Sequence, residues 1–331
     1  MCVTAHGLLN SFPSPMDYLT VANATLPVYL TMATGAAARR FKILGDHLDI
    51  GLMKLAVSLL TPCLIIERIL GNPSLMDGKQ VLIAAALGFA LVAVSIGVSY
   101  FVGPLIGLKQ GEGRRTFGIA CGLQNYGYVA LPMVEALFPR GTVGVMFTFT
   151  LGVEIALWTV AVGVLTGMTK APWKLLLNPP VIAIIISLVG NAFGLHAFVP
   201  TILHTVMGNL GSCAIPLCVL LIGASIYDLW GREPINWRVA IASPVLRMAL
   251  LPMLFIGAGM LLPLSVDLKR ILVVQAGMPS AVFGIVLARH YGGHAATAVQ
   301  VVLATTVVSL ASTPLMIAFG MRVLGLEGAV P

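Results

Sequence analysis

Charge is what this chain has least of. Asp, Glu, Lys and Arg together make up 9% of its 331 residues, against roughly 25% in an ordinary soluble domain. So thin a supply cannot solvate a large water-facing surface, which excludes a sizeable soluble domain and leaves one membrane unit. Metal-ligand groupings are missing too. The six histidines are dispersed, and no His/Cys/carboxylate cluster has ligand spacing. Neither a DDxxD run for metal-diphosphate chemistry nor a His-Glu-x-x-His zinc motif is present, which argues against an intramembrane enzyme. The five cysteines, Cys2, Cys63, Cys121, Cys213 and Cys218, include no CxxC pair. Four of them lie in apolar stretches, where cysteine behaves as a small buried hydrophobe. No basic N-terminal stretch followed by a small-residue cleavage site is evident, so the first apolar segment is expected to remain as a span. The net charge of +7 is not a nucleic-acid signal, because the basic residues are scattered through short loops as membrane topology demands.

Apolar residues fill 58% of the chain, and the mean hydropathy is +0.99. About 20 apolar residues cross a bilayer as a helix. Ten such stretches are expected, at 17–37, 50–70, 81–106, 115–138, 141–167, 178–195, 203–227, 238–262, 269–290 and 295–320. The expected class is therefore an all-α integral membrane protein. The loops after the odd-numbered spans hold eleven Lys and Arg and the opposite side holds six, with Lys54 and Arg247 inside spans. The positive-inside rule then puts both termini outside. Five spans per half make the second half start on the opposite side from the first, which is an inverted repeat. Residues 1–167 and 176–331 are the expected repeats, with 168–175 between them and Met168 to Lys174 as the hinge. Two offsets agree with this division, since Pro62 and Pro216 are 154 apart and so are Asn125 and Pro279.

Two spans are interrupted near their centres. Span 4 reads Cys121-Gly122-Leu123-Gln124-Asn125-Tyr126-Gly127-Tyr128-Val129-Ala130-Leu131-Pro132, and span 9 reads Gln275-Ala276-Gly277-Met278-Pro279-Ser280-Ala281. Unwound backbone survives in hydrocarbon only where protein or a water-filled cavity satisfies it. Paired breaks in the two halves of a membrane protein point to a transporter binding site. Pro279 lacks an N–H and crowds the Gln275 carbonyl, so span 9 is expected to stop near Gly277 and restart near Pro279. In span 4, Asn125 is the expected N-cap of a second half-helix starting near Tyr128, with Pro132 freeing the Tyr128 carbonyl. Helix N-termini facing the midplane attract an anion or carboxylate, whereas freed carbonyls could instead coordinate a cation. A plain proline kink is the structural alternative. The repeat-related positions and the polar Gln124, Asn125, Gln275 and Ser280 favour a site. Its expected substrate-binding residues are Gln124, Asn125, Tyr126, Gly127, Gln275, Met278, Pro279, Ser280 and Arg247.

Two charges lie near span centres, Glu154 in span 5 and Arg247 in span 8. Each costs roughly 2.5–3.5 kcal/mol to insert, so each is expected to face protein or water. Thr150 and Ser243, one turn away, make both faces polar. In one reading Arg247 grips an anionic substrate while Glu154 carries the coupling proton or helps bind a cation. In the other the two form a structural ion pair. Glu67, Arg68 and Lys54 are expected to snorkel to the interface, and Glu135 to reach water.

These residues resemble a known family. The Asn125-to-Pro132 run resembles the Asn-x-Gly-aromatic-x-x-Leu-Pro signature of the auxin efflux carriers, the PIN-like membrane transporters. Leu177-Asn178-Pro179-Pro180 is similar to that family's Asn-Pro at the start of its second repeat. Pro216-Leu217 followed by Ile222-Gly223-Ala224 is similar to its span 7 pattern, and Gly277 to Ala281 to its span 9 crossover. The resemblance covers nearly the whole chain. It implies a 5+5 inverted repeat of the sodium/proton-antiporter and bile-acid-transporter type, with broken helices 4 and 9 crossing. Spans 1, 2, 6 and 7 would form a scaffold, and spans 3–5 and 8–10 a moving core that holds Glu154 and Arg247. Plant members carry a long loop after span 5. The few residues here match bacterial members, usually described as malonate, malate or related carboxylate permeases. The implied function is secondary transport of small organic anions, mono- or dicarboxylates or auxin-like acids, by alternating access in a bacterial inner membrane. Expected partners are the lipid bilayer, a small carboxylate and, as an oligomer, a homodimer, without nucleic acid. No cofactor is expected, and the coupling ion is expected to be a proton rather than sodium. The competing reading is a sodium-coupled bile-acid-symporter-like protein of the same fold, from which the few acidic residues near the breaks lean away. A non-transporting sensor would need an output domain that the short loops do not provide.

Overall fold

In hydrocarbon every backbone N–H and C=O must be satisfied within the protein, which leaves helices or a closed barrel. The computed structural model describes residues 18–45, 48–167, 177–231 and 234–326. Among them every named element is helical, and the single strand-like feature is an isolated antiparallel bridge between Gln124 and Ser280. The expected hinge from Met168 to Lys174, the outermost residues at both ends, Cys2 and Arg232 lie outside the described residues.

α1 runs Tyr18–Arg40. α2 (Leu48–Leu55) continues through a π-helical turn, Ala56–Leu60, into α3 (Thr61–Ile69). α4 (Gly78–Val102) tightens to a 3-10 turn at Gly103–Ile106. α5 (Arg114–Gly122) and α6 (Ala130–Leu137) are the two parts of the interrupted fourth stretch. α7 (Arg140–Ala156), a π turn at Leu157–Ala161 and α8 (Val162–Thr166) form one run. α9 is Pro179–Ala192, followed by α10 (Thr201–Ser212) and α11 (Ala214–Leu229). α12 (Trp237–Pro244) passes through a π turn, Val245–Leu250, into α13 (Pro252–Leu261). α14 (Val266–Ala276) and α15 (Phe283–His290) flank the second interruption, and α16 spans Ala295–Val323. The edges thus fall within a few residues of those read from hydropathy. Five runs are long and apolar enough to cross a membrane: Gly78–Ile106, Arg140–Thr166, Thr201–Leu229, Trp237–Leu261 and Ala295–Val323.

Local chemistry explains the punctuation. Asp77, Asn178, Asn236 and Ser265 cap helix N-termini by accepting from the backbone N–H of Lys79, Val181, Arg238 and Leu268. Pro179 directly follows the Asn178 cap, where its missing N–H costs nothing. Two of the π turns lie just ahead of a proline, Pro62 or Pro252. The extra residue relieves the clash between the proline ring and the carbonyl four residues earlier.

Lipid tails are as apolar as leucine, so helices in a bilayer associate through close backbone approach at small residues. α4 packs on α7 through Gly88 and Gly152, where added Cβ atoms would lie 2.1 Å from the Phe149 carbonyl oxygen and 1.7 Å from that of Ala85. α1 packs on α11 the same way, through Gly35 and Gly223. α3 contacts α9 and α10, α12 contacts α16, α13 contacts α14, and α14 contacts α7 and α16. One apolar cluster includes residues of α3, α4, α6, α7 and α14, and a second joins α5, α12, α15 and α16. Cys121 belongs to the second and Leu123 to the first, so the interruption after α5 lies at their boundary. The outside is as apolar as the inside: Leu82, Phe101, Leu105, Phe198 and Leu261 are among many large exposed hydrophobes, as a lipid-facing surface requires.

Candidate functional site

The two interruptions meet each other. The Asn125 N–H donates to the Pro279 carbonyl at 2.7 Å, and the Ala281 N–H donates to the Leu123 carbonyl at 2.9 Å. Gln124 and Ser280 are therefore directly opposed in a two-residue antiparallel ribbon, which puts their side chains on one face. Pro279 has no N–H with which to return the bond it accepts. The Gln275 side chain joins the breaks a second time, its Nε2 donating to the Tyr126 carbonyl at 3.0 Å.

This ribbon delays both second half-helices. Asn125 commits its backbone N–H to Pro279, and residues 126–129 form the turn that follows. α6 consequently starts at Ala130 rather than near Tyr128, and its N-cap is Val129 rather than Asn125. Pro132 then falls in the first turn of α6, where a missing N–H breaks no helical bond. Likewise α15 starts at Phe283 and not near Pro279, because Ser280 and Ala281 are in the ribbon. No side chain caps the N-terminus of α6 or α15.

The carbonyls exposed by the breaks are nearly all bonded within the protein. Leu123 accepts from Ala281, Gln124 from Tyr126, Gly127 from Leu131 and Pro279 from Asn125. Thr313 Oγ1 donates to the Gly277 carbonyl at 2.6 Å, and the Ser280 N–H donates to Thr305 Oγ1 at 3.2 Å. Arg247 supplies two more donors, Nε to the Met278 carbonyl at 3.1 Å and one Nη to the Gln275 carbonyl at 3.3 Å.

Side chains are another matter. Both polar atoms of Gln124, the Gln275 Oε1, the hydroxyls of Ser243 and Ser280, and Arg247 Nη1 are buried without a protein partner. Buried polar groups are ordinarily bonded to protein, water or ligand. Asn125 is 7% exposed, and its carboxamide makes no hydrogen bond among the described residues. Tyr126 and Gly127 are half-buried beside it, while Met278 is fully enclosed.

Glu154 and Arg247 are not an ion pair. Glu154 accepts from Tyr126 OH at 2.6 Å, from Trp158 Nε1 at 3.0 Å and from Asn178 Nδ2 at 3.4 Å. It thereby ties the first break to α7 and to the cap of α9. Arg247 is fully buried, lies in the π turn between α12 and α13, and stacks its guanidinium 5.6 Å above the Phe255 ring. Glu135, expected to reach water, is partly exposed and also pairs with Arg68 at 2.7 Å, and Arg68 contacts Glu67 at 3.0 Å.

Sequence reading missed the support from α16. Thr305, Ser309 and Thr313 recur every four residues and are fully buried; Thr305 and Thr313 hold the second break, and Ser309 meets Tyr29 OH. A polar stripe at helical spacing in an apolar span was the available signal. It also missed a cavity of about 460 Å³ lined by Asp49, Met53, Lys54, Val57, Ser58, Leu221 and Ser225, which Lys54 borders as an exposed residue.

A sequence profile described as membrane transport protein matches residues 20–171 and 163–317. This chain belongs to that family, the auxin efflux carriers. It is also 21% identical over 309 residues to an uncharacterised transporter of the archaeon Methanothermobacter thermautotrophicus, covering 91% of this chain and 98% of the relative. A membrane-transporter family, apolar helices and a lipid-like exterior together make this an integral membrane transport protein.

Proposed function

We propose that the protein is a secondary transporter of small organic anions, mono- or dicarboxylates of the malonate and malate kind, and that the paired breaks form its binding site. One observation carries this reading: a Gln124, Asn125 and Ser280 polar group set lies unbonded at the junction of two interrupted helices, inside an otherwise apolar bundle. Carboxamides and hydroxyls can donate to a carboxylate, and the starts of α6 and α15 add positive dipole ends. The buried Arg247 charge raises the positive potential behind them without touching the ligand. Glu154 is the proposed proton carrier, because it links the first break to α9 through Tyr126 and Asn178.

Packing supports a ten-span inverted repeat with repeats at 1–167 and 176–331. Numbering the spans in order, 1 packs on 7 and 6 on 2; 3 packs on 5 and 8 on 10; 3 packs on 4 and 8 on 9; 5 packs on 9 and 10 on 4. Each second pair is the first advanced by five. In the proposed cycle, spans 3–5 and 8–10 move against spans 1, 2, 6 and 7. Both termini lie outside the plasma membrane, and a homodimer is the proposed oligomer.

The test is a thermal-shift and calorimetric screen of the purified protein against C2–C5 mono- and dicarboxylates. Saturable binding of at least one, weakened by Asn125→Ala, is expected. No binding across the series, or equal affinity in the variant, contradicts the proposal.

A further inference from the structure

We propose that Arg247 is a tethered cation, taking at the second break the place that a free alkali ion would otherwise fill; this rests on reading the junction as a transport site. Unwound carbonyls and half-helix C-termini in membrane transporters are natural ligands for a coupling cation. α14 ends at Ala276, so the carbonyls of its last turn, Gln275 among them, carry partial negative charge toward the junction, and the Met278 carbonyl follows just past its end. Arg247 meets that charge directly, with Nε on the Met278 carbonyl and Nη2 on the Gln275 carbonyl. Thr313 takes the Gly277 carbonyl and Asn125 the Pro279 carbonyl. Four carbonyls at this break are thus already bonded by fixed donors. A sodium ion needs several such oxygens at once and would also sit against a guanidinium.

The placement of Arg247 suits this role. It is fully buried, and no carboxylate pairs with it among the described residues. A buried charge persists only when hydrogen-bonded and compensated, and here the break's own carbonyls and the Phe255 ring face supply the compensation. The π turn at Val245–Leu250 contains Arg247, and such turns recur where a helix is adapted to function. The planar fork of five donors lets one residue bridge two carbonyls in fixed geometry. The expected consequence is a carrier whose junction is held without sodium.

Heat stability in detergent-solubilised membranes, read by size exclusion of a fluorescent fusion of the full chain, tests this without substrate or purification. Wild type and Arg247→Lys, both carrying their own charge, should melt alike in sodium chloride and choline chloride. Arg247→Gln should melt lower by roughly 5 °C or more in choline and regain much of the loss, saturably, with millimolar guanidinium or sodium. Recovery of Arg247→Gln only when such a cation is present during solubilisation gives the same support. Saturable stabilisation of wild type by sodium overturns the proposal, as does an Arg247→Gln variant, folded or not, that no cation improves. If wild type proves sodium-independent yet binds no carboxylate, the proposed function fails and the tethered cation stands. Carboxylate binding together with sodium stabilisation supports the proposed function and overturns the tethered cation.

Discussion

Asn125 does two separable jobs. Its backbone N–H holds the ribbon to Pro279, and its side chain is left without a protein partner. Asn125→Ala keeps the first and removes the second. Since a hydrogen bond to a charged group contributes about 1.5–3 kcal/mol, the variant should fold like wild type and bind a carboxylate roughly 10- to 100-fold more weakly by calorimetry. Unchanged affinity would make the side chain a bystander. Glu154 poses the complementary case. Tyr126, Trp158 and Asn178 all donate to it, an arrangement that links protonation there to the contact between the first break and α9. Glu154→Gln should therefore abolish uptake driven by a pH gradient while retaining substrate counterflow. Gradient-driven uptake at the wild-type rate would reduce Glu154 to a structural hub. Thr313→Val keeps side-chain volume but removes the bond to the Gly277 carbonyl, so a stability loss of about 1–3 kcal/mol is expected from the stranded buried acceptor. An unchanged melting temperature would show that the acceptor finds another donor.

At the scale of elements, glycine placement separates packing from conformational freedom. A Cβ at Gly152 would lie 1.7 Å from the Ala85 carbonyl oxygen, whereas one at Gly97, in the same α4 that Gly152 packs on, meets nothing within 4 Å. Gly152→Ala must push α7 off α4 and should lower the melting temperature by roughly 5 °C or more. Gly97→Ala should hold or raise it, because alanine is the better helix former. Equal effects would mean that the α4–α7 contact is not set by glycine. Much of this architecture was legible in the sequence. Hydropathy located the helices within a few residues, and Gly122, Gly127 and Pro279 located both interruptions, because those residues act locally. What the sequence could not convey was the ribbon, since Asn125 and Pro279, which it pairs, are 154 residues apart. That pairing fixes the late starts of α6 and α15 and leaves Asn125 no role as a cap. The partners of Arg247 were hidden for the same reason: they are backbone carbonyls of another segment, which carry no sequence signature.

At the scale of the whole molecule, four pairs of helix contacts match on advancing five spans, and the loops after the odd-numbered spans hold more basic residues than the opposite side. The proposed topology puts the exposed loop at Glu112 in the cytoplasm. A Glu112→Cys substitution on a cysteine-free background should resist impermeant maleimide in intact cells and react once the membrane is opened. Reaction in intact cells would reverse the orientation.

The central claim, a carboxylate carried through the junction of the two broken helices, is met most directly by uptake of radiolabelled malonate and malate into proteoliposomes containing the purified protein. Uptake should saturate, respond to an imposed pH gradient, proceed equally in sodium and choline buffers, and fall roughly 10- to 100-fold at subsaturating substrate with Asn125→Ala. Uptake no faster than in empty liposomes for every small carboxylate tried, or transport by Asn125→Ala at the wild-type rate, would contradict the account.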